Sequence, residues 1–302
     1  MDDGSTVLVP VDFSPHARAA AVRACEIARA WDARVRLLHG VVTRVEELAS
    51  EDDEAADTPP KSPRHELESW RADLESLGAP ISAVVEDEDP VELIGRHAHA
   101  ADVRLVVMGM HGFRGFDRVF LGSVADRALH SAQIPLMLVK ESEHAASLRI
   151  HRILLATDFS PASEQALRLA IHWARRLQAD VEVLHAIHES EAERDYPRPR
   201  DCASRSSRQR ANALESLRSI LSRTAAAGVR AVADLTYGAP SIEIVKHAAR
   251  SRADLVVLGL RGETDERSDR WGSVTERVLR HVKCSVLVAP SEPGEAGRGP
   301  TA

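Results

Sequence analysis

The sequence predicts two tandem α/β domains, each built on a five-stranded parallel sheet. Three observations support this fold class: blocks of sequence recur in the same order, short apolar runs alternate with amphipathic stretches inside each repeat, and a chain of 302 residues suits two domains of about 150 residues. Near-continuous apolar strands separated by helices are typical of a parallel sheet that is covered on both faces and joined by right-handed crossovers.

The repeat consists of three pairs of blocks. VLVPVDFSPHARAAAVRACEIARA from Val7 resembles ILLATDFSPASEQALRLAIHWARR from Ile153, and ADVRLVVMGMHG from Ala101 resembles RADLVVLGLRG from Arg252. The third pair is GSVADRALHSAQIPLMLV from Gly122 and GSVTERVLRHVKCSVLVA from Gly272. We therefore predict one domain over residues 1–145, a second over residues 148–292 and a disordered tail over residues 293–302.

The elements of one repeat follow from its periodicity. Residues 7–11 predict a buried strand, Ser14 and Pro15 an N-cap and a first helical position, and the helix should continue to about Ala30. Four further strands are predicted near Arg34, Ile81, Val103 and Pro135, with helices at residues 64–77, 90–100 and 123–131. Between the second strand and the second helix of each repeat, the polar, proline-containing stretches EELASEDDEAADTPPKSP and ESEAERDYPRPRDCASRSS predict mobile loops, either disordered insertions or lids.

Composition excludes several classes of protein. Aromatic residues make up only 4% of the chain, too few for a platform that stacks on nucleic-acid bases. The three cysteines form no CxxC motif, which argues against a zinc knuckle or a disulfide framework. There is no signal-peptide pattern and no apolar run of about 20 residues, so we expect a cytoplasmic protein that is not embedded in a membrane.

Charge is distributed unevenly along the chain. Residues 1–147 carry 26 acidic and 15 basic side chains, whereas residues 148–302 carry 20 and 24. This asymmetry could favour docking of the two halves or steer an anionic ligand toward the second, or it could reflect no more than solvated surfaces.

A glycine constellation falls where a ligand would bind. In a doubly wound sheet, ligands bind beyond the carboxyl ends of the strands, and backbone N–H groups at a helix start suit a phosphate. The spacing Gly-x2-Gly-x9-Gly-Ser occurs twice, at Gly109, Gly112, Gly122 and Ser123 and again at Gly259, Gly262, Gly272 and Ser273. Each serine could cap its helix and bond a phosphate oxygen. The two copies predict a phosphate cradle, and the alternative is a set of turn glycines followed by a serine cap.

This motif, together with Asp-Phe-Ser after the first strand, resembles the ATP-binding branch of the universal stress protein family over nearly the whole chain. The resemblance implies an adenine nucleotide alpha hydrolase-like, Rossmann-like fold in each domain, with ATP, with or without Mg²⁺, at the carboxyl edge of the sheet. It also implies dimerisation through the fifth strand, which the two repeats could form within one chain as a pseudo-dimer or which could build a homo-oligomer.

The same resemblance implies the site residues. In the first repeat, Asp12 would lie beside the adenine or ribose with Pro10 and Val11 nearby, Gly40 beside the base, Met108, Gly109 and Gly112 at the ribose and phosphates, and Gly122, Ser123 and Val124 at the phosphates. The second site would use Thr157, Asp158, Ala186, Leu258, Gly259, Gly262, Gly272, Ser273 and Val274. Many family members have valine where Gly40 and Ala186 stand, which predicts looser packing on the base.

The loops between the glycines differ between the repeats. ETDERSDRW in the second repeat is acidic, whereas FRGFDRVFL in the first carries two arginines and one acid. Because like charges beside phosphates oppose binding, the first site is expected to bind ATP more strongly.

Motifs for other chemistry are missing from the sequence. It contains no Walker P-loop, no GxGxxG, no HExxH and no GxSxG, and we expect neither catalytic residues nor a metal site. His39 and His185 are interpreted as packing at the sheet end, with ligand contact as the alternative. We expect an ATP-binding regulatory protein of the stress response without dedicated catalysis. The alternatives are a slow ATPase or phosphotransferase, or an interaction scaffold that has lost one or both nucleotide sites; no nucleic-acid or membrane partner is expected.

Overall fold

The structure is a computed structural model that describes residues 4–41, 62–110, 134–140, 150–188, 200–262 and 272–290. The chain forms two compact units, Met1–Glu141 and Ser142–Ala302. The predicted helix at 123–131, most of the first polar loop, residues 189–199 of the second and the predicted tail lie outside the described residues. Residues 200–207, predicted as part of a loop, are helical instead.

The first unit contains a five-stranded parallel sheet. Its strands are β1 (Thr6–Pro10), β2 (Arg34–Gly40), β3 (Ile81–Glu86), β4 (Val103–Gly109) and β5 (Leu136–Val139), in the order β3-β2-β1-β4-β5. Its described helices are α1 (Pro15–Ala30), α2 (Pro63–Glu75) and α3 (Pro90–Ala98). Because the strand order reverses between β1 and β4, the carboxyl ends of these two strands flank the switch point where such sheets bind ligands.

The second unit repeats this topology. Its strands are β6 (Arg152–Ala156), β7 (Asp180–Ile187), β8 (Ala231–Tyr237), β9 (Leu255–Gly259) and β10 (Ser285–Ala289), in the parallel order β8-β7-β6-β9-β10. Its described helices are α4 (Pro161–Leu177), α5 (Arg200–Ala226), α6 (Pro240–Ser251) and α7 (Ser273–His281). The predicted fold class, tandem α/β units on parallel sheets, is confirmed.

The cores follow from the apolar strands and from alanine-rich helices. Val7, Leu8 and Val9 of β1 are fully buried, as expected for a strand covered on both faces. Helix α1 turns five alanines toward the sheet, Ala17, Ala20, Ala21, Ala24 and Ala28, and α4 does the same with Ala162, Ala166, Ala170 and Ala174. Such small side chains let the axis of each helix approach its sheet closely.

The starts of α1 and α4 are capped as the sequence predicts. Ser14 Oγ accepts a hydrogen bond from the Ala17 N–H at 3.1 Å, and Ser160 Oγ accepts one from the Ser163 N–H at 3.2 Å. A proline follows each cap within the first turn, where its missing N–H costs nothing. No helix in the described part of the chain has both the length and the apolar character needed to cross a membrane.

Candidate functional site

The turn after β6 fixes a carboxylate at the carboxyl edge of the second sheet. Asp158 Oδ1 accepts hydrogen bonds from the Ser160 N–H at 3.1 Å and from Ser160 Oγ at 2.6 Å. Phe159, between them, has φ 66°, a left-handed conformation that is unfavourable for a residue with a side chain. The hydroxyl that caps α4 therefore also holds Asp158 in place.

The first unit builds the same turn after β1. Asp12 Oδ1 accepts from the Ser14 N–H at 3.1 Å and from Ser14 Oγ at 2.6 Å, and Phe13 has φ 59°. The repeated Asp-Phe-Ser-Pro sequence thus encodes a carboxylate, a strained turn and a helix cap together. Sequence reasoning identified the aspartate and the cap but missed that one serine serves both.

Gly262 brings the loop after β9 against this carboxylate. A Cβ at Gly262 would lie 2.6 Å from Asp158 Oδ2, closer than real Cβ contacts come, so a side chain there would have to displace the aspartate. Two residues of the predicted second site, from different strands, therefore meet at one edge of the sheet. Gly112, the counterpart of Gly262 in the first repeat, lies outside the described residues, as do Gly122, Ser123 and Val124.

Gly109 and Gly259 have a separate structural role. A Cβ at Gly109 would lie 2.7 Å from the His16 carbonyl carbon, and one at Gly259 would lie 2.9 Å from the Ala162 carbonyl carbon. The first turn of α1 or α4 occupies that space in each unit. Neither glycine is among the described residues with positive φ, so close approach of the helix, not backbone freedom, requires them.

The start of α7 lies beside the end of β9. The Gly272 N–H donates to the Leu260 carbonyl at 3.1 Å, and Thr275 Oγ1 donates to the Gly259 carbonyl at 3.0 Å. The N-cap is Gly272, with φ −59° and ψ 141°, and Ser273 is already the first helical residue. The prediction that this serine caps the helix is wrong, because the non-helical position falls one residue earlier, on a residue without a side chain. The positive end of the α7 dipole is thereby placed at the carboxyl edge.

The remaining predicted residues sit in or next to the strands. Val11, Met108, Thr157 and Leu258 are buried, with 3–8% of each residue exposed, so they could contact a ligand mainly through the backbone. The Thr157 hydroxyl accepts from the Phe159 N–H at 3.0 Å and donates to Ser163 Oγ at 3.1 Å, which commits it to the turn.

Pro10 ends β1, Ala186 lies near the end of β7, and Val274 is the second residue of α7. A Cβ at Gly40 would lie 2.8 Å from the Glu88 carbonyl oxygen. The chain after β3 therefore packs over Gly40, and a valine there would displace backbone.

His39 and His185 pack at the sheet ends. Their Nδ1 atoms lie 2.6 Å and 2.8 Å from the carbonyl oxygens of Val11 and Thr157. Because a carbonyl only accepts, Nδ1 carries the proton in each ring. The rings of Phe13 and Phe159 pack against these histidines at tilted angles, with centroid distances of 4.6 Å and 4.4 Å. These contacts support the interpretation as packing, and they orient each imidazole beside the aspartate turn.

Comparisons with known proteins agree with this architecture. The model of the universal stress protein family matches residues 5–140 and again residues 149–290. Universal stress protein MJ0531 from Methanocaldococcus jannaschii is 30% identical over 137 residues, which cover 45% of this chain and 80% of that protein. The crystal structure of a universal stress protein from Archaeoglobus fulgidus is 20% identical and covers 96% of this chain and 97% of that one, with a TM-score of 0.68.

A universal stress protein solved in complex with cAMP aligns with 48% of this chain at 24% identity and a TM-score of 0.37. At 20% identity the Archaeoglobus fulgidus structure shows the fold alone. The family model, in contrast, matches most of the sequence in two successive copies, and the chain therefore belongs to the universal stress protein family as a tandem member.

Proposed function

We propose that this protein binds ATP at the carboxyl edge of its sheets and acts as a nucleotide-dependent regulatory protein of the stress response without dedicated catalysis. The observation that carries the proposal is the close approach of Gly262 to Asp158 Oδ2 at the carboxyl edge, where α7 also begins after the Gly272–Leu260 hydrogen bond. A carboxylate oxygen accepts hydrogen bonds from ribose hydroxyls, and backbone N–H groups at a helix N-terminus donate to phosphate oxygens. A carboxylate and a helix N-terminus at the same edge of the sheet are the two kinds of group that this ligand needs.

Within this proposal the parts of the second site have distinct roles. Asp158 holds the ribose or adenine side, and Ala186 flanks the base. The backbone of Gly259 and Gly262 lines the path toward the phosphates, where the first N–H groups of α7, from Ser273 and Val274, bind. A side chain at Gly262 would close the space beside Asp158 Oδ2, which fits a requirement for glycine at a close backbone approach to the ligand.

The first repeat supports the proposal through its equivalent turn. Asp12 is held by Ser14 as Asp158 is held by Ser160, and family membership covers both repeats. We propose that the first repeat also binds ATP, with the equivalent residues in the same roles. The greater strength of ATP binding there, the participation of Mg²⁺, and pairing of the repeats or of chains through their fifth strands stay predictions.

The test begins with the purified chain. The protein is denatured, and the released nucleotide is identified and quantified by chromatography. Nucleotide-free protein is then titrated with ATP, and in parallel with cAMP, by calorimetry. One or two ATP per chain is the expected result. A folded chain that releases no ATP and takes up none would overturn the proposal.

Four variants sharpen this test. Gly262→Ala places a methyl group against Asp158 and should abolish binding at the second site, and Asp158→Asn should weaken it. The control is Gly95→Ala, inside α3, which makes the same chemical change away from the edge and should bind ATP normally. Release of ADP from added ATP, at a rate lost in Ser123→Ala, would favour the slow ATPase instead.

A further inference from the structure

Three side chains of the kinds that bind metal ions, one histidine and two carboxylates, converge on one face of the second sheet, beneath α6. His247 Nε2, from α6, lies 2.6 Å from Glu182 Oε1 of β7 and 3.4 Å from Asp234 Oδ2 of β8, and the three atoms all lie within 4.8 Å of one another. The His247 side chain is 4% exposed, that of Glu182 22% and that of Asp234 55%. The cluster is therefore closed toward α6 and open to solvent at Asp234.

The charges in this cluster are not balanced. One imidazole N–H can serve only one carboxylate fully, yet two carboxylates face the same nitrogen. Within the described residues, neither Glu182 nor Asp234 makes another hydrogen bond or ion pair. The two carboxylates carry more negative charge than the one positive charge of Arg250, which contacts the other ring nitrogen of His247, and a cation between the carboxylates would be stabilised.

The first repeat lacks this arrangement. In the matching registers, where Val35 pairs with Ile81 and Val181 with Ala231, Arg36 stands where Glu182 does and Val84 where Asp234 does. His97 occupies the position of His247 and contacts Glu86 at 2.9 Å. The convergence of two acids on the histidine is therefore a feature of the second repeat that the shared fold does not require.

We propose that Glu182, Asp234 and His247 bind a divalent transition-metal cation of the Zn²⁺ or Mn²⁺ class. One imidazole nitrogen and two carboxylate oxygens suit these ions, and tetrahedral Zn²⁺ holds such atoms at about 2.0–2.2 Å, which places them about 3.4 Å from each other. His247 and Asp234 already have this separation, whereas the hydrogen-bonded Glu182 must withdraw by somewhat less than 1 Å. A water molecule from the Asp234 side would complete the coordination.

Arg250 competes with the metal. Its Nη2 lies 2.7 Å from His247 Nδ1, and because a guanidinium only donates, Nδ1 accepts and the imidazole proton lies on Nε2. A metal needs the Nε2 lone pair, so that proton must move to Nδ1 and Arg250 must leave. Arg250 is exposed in the last turn of α6, where its side chain is free to move into solvent. Binding therefore exchanges one tautomer of neutral His247 for the other, with no net loss of a proton from the ring.

The site is separate from the nucleotide edge. Glu182 precedes Ala186 by four residues along β7, which corresponds to roughly 13 Å of extended strand. The metal site and the ATP site can therefore be tested independently in the same chain.

The test is titration of the chelator-treated full chain with ZnCl₂ and MnCl₂ by calorimetry. One saturable site is expected that is absent in His247→Gln and is weakened by roughly tenfold or more in Asp234→Asn. Because Asp234 lies largely in solvent, Asp234→Asn should fold normally, which circular dichroism would verify. The control His97→Gln removes the equivalent histidine of the first repeat and should leave this site unchanged.

Arg250→Ala distinguishes a metal site from a purely structural cluster. Removing the competing donor and its positive charge should tighten binding several-fold, whereas a structural role gives no reason for a gain. The proposal is overturned by the absence of a saturable site, by unchanged affinity in folded Asp234→Asn, or by weaker binding in Arg250→Ala.

Discussion

Gly259 and Gly262 stand three residues apart but have different neighbours. Gly259 faces the main chain of α4, and Gly262 faces the movable end of the Asp158 side chain. A helix backbone cannot withdraw without loss of its packing, whereas a carboxylate can rotate. The two positions should therefore differ sharply in what a methyl group does to them.

Gly259→Ala is expected to lower the free energy of unfolding by about 1–3 kcal/mol, as overpacking typically does. Gly109→Ala, whose Cβ would lie 2.7 Å from the His16 carbonyl carbon, should destabilise the first unit similarly. Urea denaturation measures both. A stable Gly259→Ala chain would show that α4 yields, and the close-approach explanation would then fail.

Glu26 gives a pH-dependent prediction. Burial raises the pKa of its carboxyl from 4.5 to about 7, with Arg23 and Arg29 partly opposing the shift, and its side chain is only 13% exposed. The folded chain therefore retains this proton up to about pH 7, whereas the unfolded chain loses it near pH 4.5. Folded stability contributed by the protonated carboxyl is present below that window and is lost as the pH rises through it.

Glutamine cannot ionise, so Glu26→Gln does not lose this stability as the pH rises. The free energy of unfolding of Glu26→Gln relative to that of the original chain should therefore increase by about 1–3 kcal/mol from pH 5 to pH 8. Denaturation at the two pH values measures this difference. A difference in unfolding free energy between the two proteins that does not change with pH would contradict the raised pKa of Glu26.

At the scale of elements, one serine links helix capping to the candidate site. Ser160→Ala removes both the cap of α4 and the hydroxyl that holds Asp158. It should cost about 1 kcal/mol of stability and should also weaken ATP binding at the second site.

Ser62→Ala is the matched comparison for this change. Ser62 caps α2 by accepting from the His65 N–H at 3.3 Å, without a carboxylate attached. The variant should lose stability only, as denaturation and ATP titration would show. Equal loss of ATP affinity in both variants would contradict a specific role of the Ser160–Asp158 hydrogen bond in ATP binding.

The elements were largely predictable because periodicity is local. Strands near Arg34, Ile81 and Val103 and the Ser14–Pro15 helix start appear where the sequence places them. The contact of α4 with Gly259, the placement of Gly262 against Asp158, and the convergence of His247 on two strands were not predictable. Each depends on how segments distant in sequence pack in space, and neither the repeated glycine spacing nor local periodicity says which atoms those segments contact.

At the scale of the molecule, duplication has preserved one surface and altered another. The aspartate turn is nearly identical in the two units, down to the 2.6 Å hydrogen bonds of Ser14 and Ser160. The sheet face beneath the third helix of each unit instead carries Arg36 and Val84 in one repeat and Glu182 and Asp234 in the other. The difference on this face leaves the aspartate turn of both repeats intact while allowing the second repeat a separate ligand.

The two proposed ligands should stabilise the second unit through separate residues. A ligand that binds only the folded state, at a concentration of 100 times its Kd, adds about 2.7 kcal/mol to the free energy of unfolding. The unfolding temperature measured by calorimetry should therefore rise with ATP and, separately, with Zn²⁺. In Asp158→Ala the ATP shift of the second unit should vanish while the Zn²⁺ shift persists. In Asp234→Asn the Zn²⁺ shift should shrink while the ATP shift persists. Loss of both shifts in either variant would mean that edge and face are coupled or that the substitution damaged the unit. Loss of one shift alone assigns that ligand to its site, because each substitution leaves the residues of the other site unchanged.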